Sequence, residues 1–364
     1  MQSIAYDYIH GGDAYDEDGM PVDGLLDFSI SINPLGMPQR ALDAAIQALE
    51  GATIYPDFAC RRLVSELAAF ENIDRKNIFC SNGASDIIFR LAYALKPAKI
   101  LVVAPSFADY ERAGRAVGAK VIFHKLKQEN GFQLQKEIIS TVRAYSPDIV
   151  FICNPNNPTG ILAGLDVVEE LAAACDFVGS VLLVDECFMD FVQNAHRYSA
   201  KTLLGKYKNL IVLKSFTKIF AMPGLRLGYA LCENEALLDR MRFCGPDWAV
   251  SNVAQVAGIA ALTDGRDYIE KSVLYVQKER ERITSAVKPM GFMLYPSSAN
   301  FIFFQCQWGV DLRDILFKKG ILVRDCRNFA MLEHGYFRSA VLTYEKNTCF
   351  LEALKEVEIS WRNQ

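Results

Sequence analysis

Seven short runs of apolar, β-branched and aromatic residues occupy the middle of the chain: NIFCSNG, KILVVAP, KVIFHKL, IVFICNP, VLLVDEC, NLIVLKSF and RLGYALC. Their apolar character is continuous rather than alternating, which predicts strands buried on both faces. Segments such as SDIIFRLAYAL and DVVEELAAAC lie between most of them and predict helices. This alternation predicts an α/β fold with a mostly parallel, seven-stranded sheet sandwiched by helices. The last two runs stand close together, which suits one antiparallel strand.

After about position 245 the texture changes. A long helical pattern, DYIEKSVLYVQKERERITSAV, is followed by FMLYPSSANFIFFQC, a helix at LRDILFKKG, strands at ILVRDC and YFRSAVL, and a last helix near 346 to 357. These predict a smaller α+β domain. Before position 40 lies an irregular arm containing INPLGMP. At 364 residues the chain exceeds the roughly 250–300 that one core supports. The expected division is an arm over 1–40 joining the small domain, a large domain over 41–245 and the small domain over 246–364. There are no internal repeats and no low-complexity segment.

A formal net charge of −4 and the lack of any Lys/Arg-rich run give no reason to expect a nucleic-acid partner. The ten cysteines include no Cys-x-x-Cys pair, which argues against a zinc site and a disulfide framework; no metal is expected. The N-terminal MQSIAYDYIHGGDAYDEDG is polar and acidic, unlike a signal peptide. The apolar runs are too short to span a membrane. The expected location is the cytoplasm.

In such a sheet, ligands sit at the carboxyl ends of the strands. NIFC runs into Ser81-Asn82-Gly83-Ala84-Ser85, LVVAP into Ser106-Phe107, and IVFIC into NPNNPTG, which contains Asn157. VLLV ends in Asp185, and LIVL in Lys214-Ser215-Phe216-Thr217-Lys218. Ionisable, polar and aromatic residues thus converge on one edge. Lysine and arginine are rarely buried without partners, yet Lys218 and Arg226 stand in the small and apolar stretch LKSFTKIFAMPGLRLGYA.

NPNNPTG, VDE, SFTK and GLRLG, in that order and spacing, resemble the signature elements of the fold-type I pyridoxal-phosphate enzymes, in the class I/II aminotransferase superfamily. The resemblance covers nearly the whole chain. It implies pyridoxal 5'-phosphate as cofactor and Lys218 as the amine that carries its aldehyde, a reaction that a desolvated, cation-rich setting favours. It assigns Arg226 and Ser215 to the cofactor phosphate. Gly83, Ala84 and Ser85 open a helix whose free N–H groups suit the same anion. Asp185 is implied beside the ring nitrogen, which must stay protonated if the ring is to withdraw electrons. Asn157 is implied at the phenolic oxygen, Phe107 on the ring face and Arg338 on the substrate carboxylate. Tyr55 resembles a tyrosine that relatives lend across a homodimer interface to the neighbour's cofactor phosphate. One departure is Phe188, where many relatives carry a tyrosine that reaches the phenolic oxygen.

Two branches of the superfamily compete, histidinol-phosphate aminotransferase and threonine-phosphate decarboxylase of cobalamin biosynthesis. HGGD, DFSISINPLGMP and GILVRDCRNF resemble the decarboxylases, and DECF leans the same way. The expected substrate is a small phosphorylated amino compound whose phosphate is held by His10, Gly11, Asn33 and Arg324. Leu342, four after Arg338, departs from both branches. The favoured reading is decarboxylation of L-threonine O-3-phosphate to aminopropanol phosphate. The alternatives are histidinol-phosphate or related transamination with 2-oxoglutarate/glutamate and, in another class, a non-catalytic regulator that holds pyridoxal phosphate.

Overall fold

The computed structural model describes residues 10–363; the first nine residues of the polar N-terminal stretch and Gln364 lie outside it. A short strand β1 (Leu26–Asp27) precedes the seven apolar runs, which form β2 (Ile78–Ser81), β3 (Lys99–Ala104), β4 (Lys120–Lys125), β5 (Ile149–Cys153), β6 (Val181–Asp185), β7 (Leu210–Ser215) and β8 (Gly228–Cys232). Their order across one sheet is β2-β8-β7-β6-β5-β3-β4. Only β8 runs antiparallel, to both β2 and β7.

The continuous runs have a simple cause. Alternate residues of a strand face opposite sides, and here both sides are covered. Leu101, Val103, Val150, Ile152, Leu182, Val184 and Val212 enter one buried cluster. Their neighbours Ile100, Val102, Ile149, Phe151, Leu183 and Ile211 enter another on the opposite face.

The predicted long helix spans Gly265–Val287. The C-terminal helix is longer than its pattern suggests and spans Tyr344–Arg362. A four-stranded antiparallel sheet is built from β9 (Met293–Tyr295), β10 (Phe301–Gln305), β12 (Arg324–Asp325) and β13 (Tyr336–Ala340). ILVRDC, expected as one strand, splits in two. Its first half, β11 (Ile321–Leu322), pairs in parallel with β1 of the arm, and its second half, β12, pairs with β13. Phe132, from the segment after β4, packs edge-on against Tyr295, Phe303 and Tyr336, and so joins the two sheets. Among the described residues no helix is long and apolar enough to cross a membrane.

One close approach positions everything that follows. Gly228 on β8 stands so near the start of the helix Gly83–Leu95 that a Cβ there would lie 2.6 Å from the Ala84 amide nitrogen and 2.8 Å from the Gly83 carbonyl carbon. Backbone cannot yield as a flexible side chain can. Gly228→Ala is therefore expected to cost about 1–3 kcal/mol of unfolding free energy. Urea denaturation checks this, and an unchanged midpoint would contradict it.

Candidate active site

The sheet ladder brings the strand ends together. Cys153 pairs with Asp185, Asp185 with Leu213, and Ser215 with Gly228. At this edge lies a cavity of ≈ 370 Å³. Asp185, Asn157, Ser215 and Lys218 line it from the strand ends, and Ala84, Ser85 and Phe107 from the segments that follow β2 and β3. His10, Gly11, Arg226, Arg324 and Arg338 complete it.

Lys218 rides on a single helical turn, Phe216–Ile219, capped by Ser215, whose Oγ accepts from the Thr217 amide at 3.1 Å. Burial lowers the lysine, and the Arg338 and Arg226 charges lower it further, to about 8. Its ammonium lies 5.9 Å from the centre of the Phe188 ring, an apolar neighbour. Asp185 is buried, and burial pushes its carboxyl up. It accepts hydrogen bonds from the Tyr110 hydroxyl at 2.7 Å and the Cys187 amide at 2.9 Å.

Arg338 on β13 is buried, and burial brings its guanidinium down to about 10. Nη1 donates to Asn157 Oδ1, and Nη2 donates to the Ser29 carbonyl at 2.6 Å. Engaging the Asn157 oxygen leaves that amide's N–H groups as donors. Arg338 Nε is buried with no protein partner among the described residues. Arg324 is the register neighbour of Arg338 on β12. Its Nη2 donates to Asn328 Oδ1 at 2.7 Å, and its guanidinium lies over Phe329, with the carbon 5.1 Å from the ring centre. Two cations thus stand side by side at one wall.

At the other end, Arg226 takes a left-handed backbone and turns its guanidinium onto Gly83, where a Cβ would meet Nη2 at 2.8 Å. Gly83 is itself left-handed, at φ 81°, so two constraints select glycine there. Ser85 donates to Asp109 at 2.7 Å, and Asp109 also takes a bond from Arg112 at 2.9 Å and lies 3.6 Å from His10 Nε2. Burial pushes Asp109 up, but the neighbouring His10, the Ser85 bond and the Arg112 charge bring it below the ordinary range. The His10 ring packs on Phe107 at 5.6 Å. Gly11 can only be glycine, because a Cβ would fall 2.4 Å from the Ser29 carbonyl oxygen.

Asn33 corrects the expected phosphate pocket. It is absent from the cavity lining. Its amide donates to the Ile219 carbonyl and to Ser272 Oγ, both at 2.7 Å, while its oxygen accepts from the Leu35 amide. Its own backbone N–H donates to the Lys218 carbonyl at 3.1 Å. Asn33 therefore ties the arm to the lysine turn. Tyr55 is also off the cavity, 77% exposed and leaning on Trp248. Leu342 packs against the core, with its backbone bonded to Asn347. Sequence reasoning missed Tyr110 and Asp109. The spacing of Phe107 and Tyr110, three apart at a helix start, was the available signal.

The cofactor implied by the resemblance is tested by this donor set. A doubly charged phosphate finds Arg226, Ser215 and the first turn of the helix Gly83–Leu95. A ring nitrogen finds the buried Asp185, a phenolic oxygen finds the Asn157 amide, and an aldehyde finds a lysine of lowered basicity. The residues fit the group.

A family described as aminotransferase class I and II matches residues 23–354. The threonine-phosphate decarboxylase of Salmonella typhimurium is 34% identical over 343 residues, covering 93% of this chain and 93% of that protein. The histidinol-phosphate aminotransferase of Methanococcus aeolicus is 28% identical over 92% of this chain and 90% of that protein. The crystal structure of the histidinol-phosphate aminotransferase from Clostridium acetobutylicum has a TM-score of 0.85 at 32% identity, covering 92% of this chain and all of that one.

In cofactor-free protein, Lys218 should become reactive as pH rises through about 8, because only the neutral amine attacks an acylating reagent. Ordinary lysines, near about 10.4, stay protonated there. Pulse labelling mapped by mass spectrometry reads the midpoint for each lysine. A midpoint for Lys218 above about 10, as for an ordinary lysine, would contradict the site's electrostatics.

Proposed function

Because this chain belongs to the aminotransferase class I and II family and is a pyridoxal-phosphate-dependent enzyme, we propose that it decarboxylates L-threonine O-3-phosphate to aminopropanol phosphate. The observation that carries this reading is the neighbouring pair Arg324 and Arg338 in one cavity with Lys218. Threonine phosphate has two anionic groups, a carboxylate and a phosphate, and each arginine suits one of them. Histidinol phosphate has only the phosphate. The similarity to the Salmonella decarboxylase over most of both chains supports the same choice.

When bound, pyridoxal phosphate supplies the electron sink for bond breaking at the substrate's α-carbon. Lys218 holds the cofactor in the free enzyme through its lowered basicity. Asp185 would keep the ring nitrogen protonated, and Asn157 would donate to the phenolic oxygen. Arg338 grips the carboxylate, and Arg324 with His10 grips the phosphate. Holding both ends would fix how the substrate lies in the cavity and where its carboxylate stands. Lys218 then delivers to that carbon the proton that replaces CO2. Phe188 gives this lysine an apolar neighbour and no competing hydroxyl.

Transamination is the second reading, favoured by the likeness to the histidinol-phosphate aminotransferases of Methanococcus aeolicus and Clostridium acetobutylicum. The test is direct. Purified enzyme with O-phosphothreonine should release CO2 and aminopropanol phosphate. Glutamate formed from histidinol phosphate and 2-oxoglutarate, with no product from phosphothreonine, would overturn the proposal. Arg324→Ala should lower kcat/KM for phosphothreonine by at least about 100-fold, the scale of a lost charge-assisted contact, and much less for unphosphorylated threonine. Equal losses on both would remove Arg324 from the phosphate.

We further propose a homodimer that covers Tyr55 and brings it to the neighbour's cofactor phosphate. Ile54, Tyr55 and Phe58 are each about two-thirds exposed or more, and Leu42, Ile46 and Leu49 are exposed close by in sequence. Exposed apolar side chains this close together in sequence suit a surface that a second copy covers. Phe58→Glu should shift the sedimentation coefficient to that of a monomer and weaken cofactor binding. A native protein that sediments as a monomer would refute the dimer.

A further inference from the structure

The assigned roles leave the Tyr110 hydroxyl, beside Asp185, unexplained. Tyr110 lies on the helix Ala108–Ala116 and is fully buried. Its ring is fixed by Phe107, edge-on at 5.7 Å, and by Phe151, stacked at 5.3 Å. Phenylalanine would make the same contacts. The hydroxyl instead meets Asp185 Oδ2 at 2.7 Å, while the Cys187 amide meets Oδ1 at 2.9 Å.

We propose that Tyr110 is a positioning residue, whose hydroxyl holds the Asp185 carboxylate ionised and aimed at the cofactor's ring nitrogen. The inference rests on the pyridoxal-phosphate reading. One donor on each oxygen stops rotation of the carboxylate, and each oxygen keeps a lone pair for a ring N–H. A buried carboxylate with too few donors takes up a proton. The other ionisable groups around Asp185 are the Cys153 and Cys187 thiols, both pushed up by burial and by Asp185 itself, and Lys218. The two thiols stay neutral, and the Lys218 charge weakens as pH passes about 8. Burial and the Asp185 charge also push Tyr110 well above its ordinary range, so it remains a donor at any working pH. The hydroxyl is thus a donor whose strength does not vary with pH.

A double-mutant cycle separates this role from packing. Pyridoxal phosphate affinity is measured by fluorescence titration of the cofactor-free protein for the native chain, Tyr110→Phe, Asp185→Asn and the double variant. The pH dependence of the bound cofactor's visible band is recorded alongside. Tyr110→Phe is expected to weaken affinity about 10-fold, one hydrogen bond to a charged group, and to move the pH midpoint of the band. In the Asp185→Asn background the same change should cost less than about 2-fold, because the charge it serves is gone. Equal losses in both backgrounds, or no loss beside the native aspartate, would overturn the role. Should Tyr110→Phe fail to fold, a ring-fluorinated tyrosine at 110 keeps the shape and donates more strongly; an unmoved band midpoint would then refute it. Native protein that binds no pyridoxal phosphate defeats the cofactor reading itself, whereas native binding with an unaffected Tyr110→Phe defeats only this inference.

Discussion

The register of the central ladder fixes where the chemistry can be. Asp185 pairs with Cys153 on one side and Leu213 on the other, and two residues further along β7 Ser215 pairs with Gly228. Strand side chains alternate between faces, so a slip of one residue would turn Asp185 away from the cavity and bring Val184 toward it. The sheet resists such a slip because both faces are packed, and any shift moves an apolar side chain out of each cluster. The precision of the site is inherited from the core.

The same stretch of chain shows how environment rather than residue type sets charge. Lys214 and Lys218 are four apart. Burial acts to lower both. At Lys214 the carboxylates of Asp190, Glu71 and Glu186 overcome it and hold the lysine well above its ordinary range. At Lys218 Arg338 and Arg226 add to it. One lysine is fixed as a permanent cation within a buried ionic network, and the other is prepared to react. Lys214 is still on β7, whereas Lys218 lies on the helical turn that follows, so the two side chains meet different neighbours.

Much of this was legible in the sequence because it is local. The seven runs became the seven strands, and Lys218, Asp185, Asn157 and Arg338 meet in one cavity as the motif order implied. Asn33 was misread because Asn-Pro-Leu-Gly says nothing of where an arm crosses the fold; its amide is consumed by Ile219 and Ser272, 186 and 239 positions away. Tyr110 and Asp109 passed unnoticed for a related reason. Their partners, Asp185 and His10, become neighbours only once the sheet and the arm are in place. The split of ILVRDC between two sheets was equally invisible, because an apolar run does not record which partner each half will find.

Arg338 shows what this ordering means for a ligand. Asn157 and Ser29 hold its guanidinium at both ends before any substrate arrives. A long side chain left to wander would lose up to about 1.5–2 kcal/mol of rotational entropy when immobilised. Here that loss falls on folding, and a carboxylate meets a fork already in position. Recognition at this arginine therefore draws on order that the fold has already built, and the ligand need not supply it.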